Sequence, residues 1–145
     1  MAHAGGALPA VRGGISSIAW SPDVATQIVT ASEDDSNPVI AMWDLRNAHA
    51  PVKTLTGHQQ GVLSLSWCQK DSDLLLSSGK DSRTICWNPR SGEIIGELPV
   101  SHNWTFEVDW YNPNPDFFAS ASFDGKVRLG CFVCMNQLGY LPRLI

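Results

Sequence analysis

Three tryptophans recur in one context. Trp20 closes ISSIAW, Trp67 closes VLSLSW and Trp110 closes TFEVDW, at steps of 47 and 43 residues. A recurrence of this length restricts the fold before any single residue is weighed. Each unit must be one supersecondary motif that buries its apolar face by stacking on the next. Within each hexapeptide apolar side chains alternate with small or polar ones, the period-two pattern of a strand. A turn-rich segment follows (SPDVAT, CQKDSD, YNPNPD), then a second apolar run (QIVTA, LLLSS, FFASA), then an aspartate turn at Asp35, Asp81 or Asp124. A third run ends at Trp43 in VIAMWD and at Trp87 in TICWN, and a weaker fourth run lies at 52–55 and 94–98. Each unit therefore reads as four strands, a to d in chain order. β-branched residues and tryptophan dominate the runs, and turn residues interrupt them, which excludes helices.

Four short strands in about 40–45 residues, ending in Trp-Asp or Trp-Asn, resemble the blade of a WD-type β-propeller. The fold class expected is all-β: a partial WD-type propeller of about three four-stranded antiparallel blades whose ring is not closed. The expected organisation is a flexible segment at 1–13, blades at about 14–56, 57–98 and 99–129, and an atypical tail at 130–145. The second unit is the most complete, with Gly57-His58, Ser77, Asp81 and Trp87. The WD resemblance implies a hydrogen-bonded tetrad of His58, Ser77, Asp81 and Trp87. In it the turn Asp orients the His, the His bonds the Ser, and the indole N–H closes the chain. The first unit has the markers Asp35 and Trp43, with Ala31 read at the Ser77 position, no Gly-His, and two extra residues near Ser36-Asn37. The third has Ser120 and Asp124, but Gly130 at the Trp87 position and His102 eight residues before Trp110.

A catalytic triad of His58, Ser77 and Asp81 is the rival reading of the same residues. The repeat accounts for them without catalysis, and no oxyanion-hole element is apparent. No phosphate-cradling glycine loop, metal cluster or carboxylate pair is present either. No enzyme activity and no cofactor are expected. Cys131 and Cys134 form one C-x-x-C, but no second pair stands at zinc spacing, and Cys68 and Cys86 read as buried thiols. Glu33, Asp34 and Asp35 read as a solvated turn, and the Asn103-Trp104-Thr105 sequon as idle outside a secretory context. Net charge is −4, and the ten basic residues are scattered with no two adjacent. Nucleic acid is not expected as a partner. No stretch is apolar and long enough to insert in a membrane.

Beyond the generic blade, the strings PDVATQ, SEDD, WDLRNA, LLLSSGKD and ASFDGK resemble the propeller of the larger outer-coat subunit of coat protein complex II. The resemblance covers residues 14–129. It implies a seven-bladed propeller followed by a further blade-forming segment and an α-solenoid, paired with a small WD-repeat propeller and assembled into a cage on vesicles leaving the endoplasmic reticulum. The function expected is that of a non-catalytic scaffold, a fragment of the outer coat in ER-to-Golgi transport. It would be cytoplasmic and peripheral at ER exit sites and coated vesicles. The partners implied are other coat subunits, among them the small propeller, although the segment implied to contact it is not in this sequence. With three blades and two open flanks, the isolated chain is expected to be marginally stable. The alternative is a WD-repeat substrate receptor of a cullin-type ubiquitin ligase. There Trp43-Asp44-Leu45-Arg46 would supply a W-D-x-R motif and Arg46 the adaptor contact.

Overall fold

The computed structural model describes residues 13–98 and 100–132, and the strand at 143–144. The first sheet holds β1 (Ile15–Trp20), β2 (Gln27–Ser32), β3 (Val39–Asp44) and β4 (Lys53–Thr56). The second holds β5 (Val62–Trp67), β6 (Leu75–Gly79), β7 (Thr84–Asn88) and β8 (Glu93–Glu97). The third holds β9 (Thr105–Trp110), β10 (Phe117–Ser122), β11 (Val127–Cys131) and β12 (Arg143–Leu144). In each sheet the strands lie in chain order, every neighbour antiparallel. The described residues thus form a partial β-propeller of three blades, with no sheet closing on itself.

The third sheet differs from the sequence reading in one respect. The segment beyond Leu129 was expected as a tail outside the blade. Instead β11 runs to Cys131, and Arg143–Leu144 pairs with Arg128 and Leu129 as the outer strand. An edge with unpaired amide and carbonyl groups accepts any extended segment that reaches it, whatever that segment's composition. The expected segment at 1–13 lies, apart from Gly13, outside the described residues, as does Cys134 of the C-x-x-C.

The blades stack through their inner strands. The core of the first interface joins Val29, Ala31, Ile40, Met42 and Leu55 of blade 1 to Val62, Leu65, Trp67, Leu75, Ile85 and Trp87 of blade 2. The second interface joins Cys68, Leu74, Leu76, Cys86 and Leu98 to Val108, Trp110 and Phe118 of blade 3. Each blade therefore has a front face made by its Trp-bearing strands and a back face of smaller aliphatic and thiol side chains. Polar stitches accompany both interfaces. The Leu65 amide donates to Ser17 Oγ at 3.2 Å, and the amides of Val108 and Trp110 donate to Ser64 Oγ at 3.3 Å and Ser66 Oγ at 3.2 Å. Gly61 lies so close to blade 1 that a Cβ there would stand 2.1 Å from the Glu33 carbonyl oxygen.

Two details repeat from blade to blade without a matching residue signature. The inner strand is irregular at Ser16 and Leu63, and again where Thr105 and Glu107 pair with Ser122 and Ala121. Such bulges re-aim the strand's side chains. In two of the three blades the b–c turn also holds a left-handed residue. Gly125 fills it in blade 3 (φ 77°) and Ser82 in blade 2 (φ 64°). A side chain at that φ is strained, so Ser82→Gly is expected to stabilise the chain by about 0.5–1 kcal/mol in urea denaturation.

Candidate functional site

The tetrad residues come from four places and meet in the core of blade 2. His58 precedes β5, Ser77 lies on β6, Asp81 in the turn after it, and Trp87 on β7. The Trp87 indole N–H donates to Ser77 Oγ at 2.8 Å. His58 Nε2 lies 2.7 Å from Ser77 Oγ, and Nδ1 lies 2.9 Å from one carboxylate oxygen of Asp81 and 3.1 Å from the other. A carboxylate only accepts, so Nδ1 carries a proton; in the neutral ring Nε2 then accepts the Ser77 hydroxyl. Asp81 also accepts the amides of Gln59 at 2.9 Å and Arg83 at 3.2 Å. Burial pushes the Asp81 carboxyl up, but the His58 hydrogen bond and charge and those two amides outweigh it and hold it below its ordinary range. Ser77 is fully buried and its oxygen already engages an indole and an imidazole. It has no path to a substrate carbonyl.

Arg83 backs this network, and sequence reasoning missed it. Its guanidinium binds Glu97 of β8 through two bonds of 2.5 and 2.7 Å and the Gly57 carbonyl at 2.5 Å. It thereby ties the outer strand to the turn that carries the His. Its signal in the sequence was a basic residue two positions after the turn Asp.

Cross-strand register corrects the reading of blade 1. Trp43 pairs with Ile28 as Trp87 pairs with Leu75, so Thr30, and not Ala31, stands where Ser77 does. The Trp43 indole N–H donates to Thr30 Oγ1 at 3.0 Å. The Thr30–Trp43 separation is 13 residues against 10 for Ser77–Trp87, so the first b–c turn is three residues longer, not two. The turn Asp is therefore Asp34, which accepts the amide two residues on (Ser36, 2.9 Å) as Asp81 and Asp124 accept those of Arg83 and Lys126. Asp35 instead reaches blade 2, where it accepts the Gly61 amide at 2.9 Å and pairs with Lys80 at 3.5 Å. Thr30→Val, which keeps the shape and removes the acceptor of a buried indole, is expected to cost about 1–3 kcal/mol in the same denaturation assay.

Blade 3 replaces the tetrad with a different arrangement. Gly130 pairs with Phe118, and the Phe118 ring occupies the space above it, edge-on to Trp110 at 5.5 Å. His102 lies exposed beside a hollow of about 320 Å³ formed with Asn103, Trp104 and Phe123. Asp124 turns to Ser122 at 2.5 Å and to Arg128 at 2.8 Å. These hydrogen bonds hold its carboxyl down to about 2, against the opposing effect of burial. A depressed folded value contributes stability above the unfolded value near 4 and loses it as pH falls through about 2. Acidification from pH 4 to 2 is expected to destabilise the wild type, and Asp124→Asn to flatten that part of the profile when melting temperature is followed against pH.

Arg46, the candidate adaptor contact, is exposed and folded back onto Asp44, with bonds of 2.5 to 3.2 Å from Nη2 and Nε. Asp44 also caps the short 3-10 turn Leu45–Asn47 by accepting the Arg46 amide at 3.0 Å. Asn88 accepts the Arg90 amide in the same way in blade 2. The Trp-Asp-x-Arg string is thus accounted for by a capped turn. Cys68 and Cys86 are buried thiols, the latter pushed up to about 12 by burial and by its neighbour Cys68. Among the described residues no three His, Cys, Asp or Glu side chains are grouped to hold a metal, and no helix is long and apolar enough to cross a membrane. A groove of about 420 Å³ runs between blades 1 and 2, lined among others by Asp23, Met42, Lys53, Trp67 and Arg90.

Antiparallel four-stranded blades, stacked through inner strands and with the middle one locked by a His-Ser-Asp-Trp network, define a WD-repeat propeller. The chain belongs to the WD domain, G-beta repeat family, whose pattern matches residues 49–88 and 93–129. It is similar to "Protein transport protein SEC31" of Mycosarcoma maydis, at 62% identity over 126 residues, covering 86% of this chain. The like-named protein of Aspergillus niger is 58% identical over 118 residues, covering 81% of this chain. The chain spans only 9% of the length of either relative. Among solved structures, "COPII on membranes, outer coat vertex" matches 81% of this chain and 31% of that one, with a TM-score of 0.78 and 45% identity. The β-propeller domain of Cps50 (Swd1) from Myceliophteria thermophila also reaches 0.78, covering 94% of this chain and 40% of its own at 18% identity, which concerns the fold alone.

Proposed function

We propose that the chain is a non-catalytic scaffold segment of a vesicle outer coat that serves ER-to-Golgi transport, acting at the cytoplasmic surface of the membrane. The observation that carries this reading is similarity of 58–62% to SEC31 proteins across more than four-fifths of the chain, matched by an outer-coat structure at 45% identity. The mechanism is geometric. Blades locked by buried polar networks keep their turns at fixed relative positions, so a lattice contact on one turn is transmitted rigidly to the next. Partners are other coat subunits, among them the small WD-repeat propeller, and the site of action is the ER exit site.

The test is reconstitution on membranes. Full-length protein from this gene, added to liposomes bearing an inner coat, is expected to assemble into an ordered outer lattice visible by cryo-electron tomography. A well-folded product that leaves those membranes bare would overturn the proposal.

A further inference from the structure

One end of blade 3 carries exposed aromatic rings that the blade itself does not require. Trp104 is 45%, Phe106 42% and Phe123 70% exposed. The Trp104 and Phe106 rings meet edge to face at 6.2 Å, and those of Phe106 and Phe123 lie 5.7 Å apart. Single exposed rings need no explanation, but a contiguous set marks a binding surface. The fold needs only main-chain atoms here. The Phe123 amide donates to the Trp104 carbonyl at 2.9 Å, as the Lys80 amide does to Gly61 at 2.9 Å and the Glu33 amide to Gly14 at 3.0 Å. The two side chains at this contact are Gly and Glu in blade 1, Gly and Lys in blade 2, and Trp and Phe in blade 3 alone. A following blade does not close this end. Glu33, at the Phe123 position, and Gln59 and Gln60, at those of His102 and Asn103, are all exposed although another blade follows each of them.

Trp104 and Phe123 are two walls of the hollow of about 320 Å³, and His102 and Asn103 complete its lining. The indoles of Trp43, Trp67, Trp87 and Trp110 all donate within the chain. That of Trp104 donates to nothing among the described residues. The charged groups beside the hollow are already paired. Lys80, whose ammonium lies 5.5 Å from the Trp104 ring centroid, is 3.5 Å from Asp35, and Asp124 is 2.8 Å from Arg128. Charge complementarity therefore selects a guest with apolar bulk and carbonyl acceptors but no net charge. A proline-rich segment meets these terms. Its extended left-handed helix presents rings to aromatic walls, its carbonyls are free of internal hydrogen bonds, and its shape is set before binding, so little entropy is lost.

We propose that the slot between Trp104 and Phe123 binds an uncharged proline-rich segment of a partner protein, with the Trp104 indole N–H donating to one of its carbonyls. The inference goes beyond the coat reading and does not depend on it: binding is measured on the purified chain, without coat subunits.

The experiment is a titration of the ¹⁵N-labelled chain with oligoproline, following the indole N–H signals of its six tryptophans by NMR. Oligoproline is expected to shift the Trp104 signal and to leave those of Trp43, Trp67, Trp87 and Trp110 in place, and a glycine-serine peptide of equal length to shift none. Trp104→Gly and Phe123→Lys, each of which installs the residue of blade 2, are expected to weaken binding roughly tenfold through the loss of one aromatic wall, with circular dichroism unchanged. Trp104→Phe keeps the wall and loses the donor, and its affinity is expected to fall between wild type and Trp104→Gly. A Trp104 signal that stays in place at millimolar oligoproline overturns the proposal. So does an equal response to the glycine-serine peptide, a stronger one to oligolysine or oligoglutamate, a shift given by phosphatidylcholine vesicles and not by oligoproline, or a folded Phe123→Lys chain that binds as well as the wild type.

Discussion

Replacing His58 with leucine is expected to lower the free energy of unfolding by about 3 kcal/mol, the cost of leaving a buried carboxylate without its ring donor. The Asp81 side chain is only 4% exposed and His58 contributes its closest side-chain hydrogen bonds, so the carboxylate would keep its burial and lose its ring donor. The Ser77 hydroxyl would also lose the acceptor of its proton. Leucine restores the volume, so the loss reports on polar satisfaction and not on a cavity. Removing both partners together, in His58→Leu with Asp81→Leu, is expected to recover part of the deficit, since a missing pair costs less than half a pair. Urea denaturation measures both. A His58→Leu chain within 1 kcal/mol of the wild type would remove the network from the account of what holds blade 2.

The second large effect is in blade 3. Gly130→Ala is expected to destabilise by about 1–3 kcal/mol, as overpacking of a filled core does. An added Cβ would stand 2.2 Å from Cζ of Phe118 and 2.5 and 2.7 Å from its Cε atoms, and that ring is buried against Trp110. Nothing there can move aside cheaply. Blade 2 solves the same place the other way, with Leu75 paired to Trp87. Gly130→Trp alone is therefore expected to be worse than Gly130→Ala. Gly130→Trp with Phe118→Leu is expected to be milder than Gly130→Trp, which a thermodynamic cycle reads as favourable coupling. Two independent penalties that simply add would mean that ring and glycine are not exchanging one volume.

The blades were legible because their periodicity is set by physics that acts locally: alternation along each strand, a turn between strands, and an indole that needs a buried acceptor. What escaped the sequence was register. Counting forward from the acidic run places Asp35 with Asp81 and Ala31 with Ser77. Pairing across β2 and β3 places Asp34 and Thr30 there, because the turn after the aspartate is longer by three residues and not by two. Threonine and serine do the same work for an indole, and no residue pattern marks which hydroxyl is opposite. The strand at Arg143–Leu144 was missed for a related reason. An outer strand is held by its backbone, and its side chains need carry no strand signal. The Arg128–Asp124 pair of blade 3 hid because an arginine four residues from an aspartate is common on any surface; only the turn puts the two in contact.

A front face and a back face that match the two internal interfaces mean that every blade here is built to have a neighbour on each side. The same property would let this segment sit inside a larger ring. Its most direct test is a transplant. Residues 14–129 of this chain, placed in the Aspergillus niger SEC31 protein in place of the matching segment, are expected to support ER-to-Golgi transport and growth. A chimera that is folded and as abundant as the parent protein, yet fails to sustain transport, would contradict the claim that these blades are a working part of the outer coat.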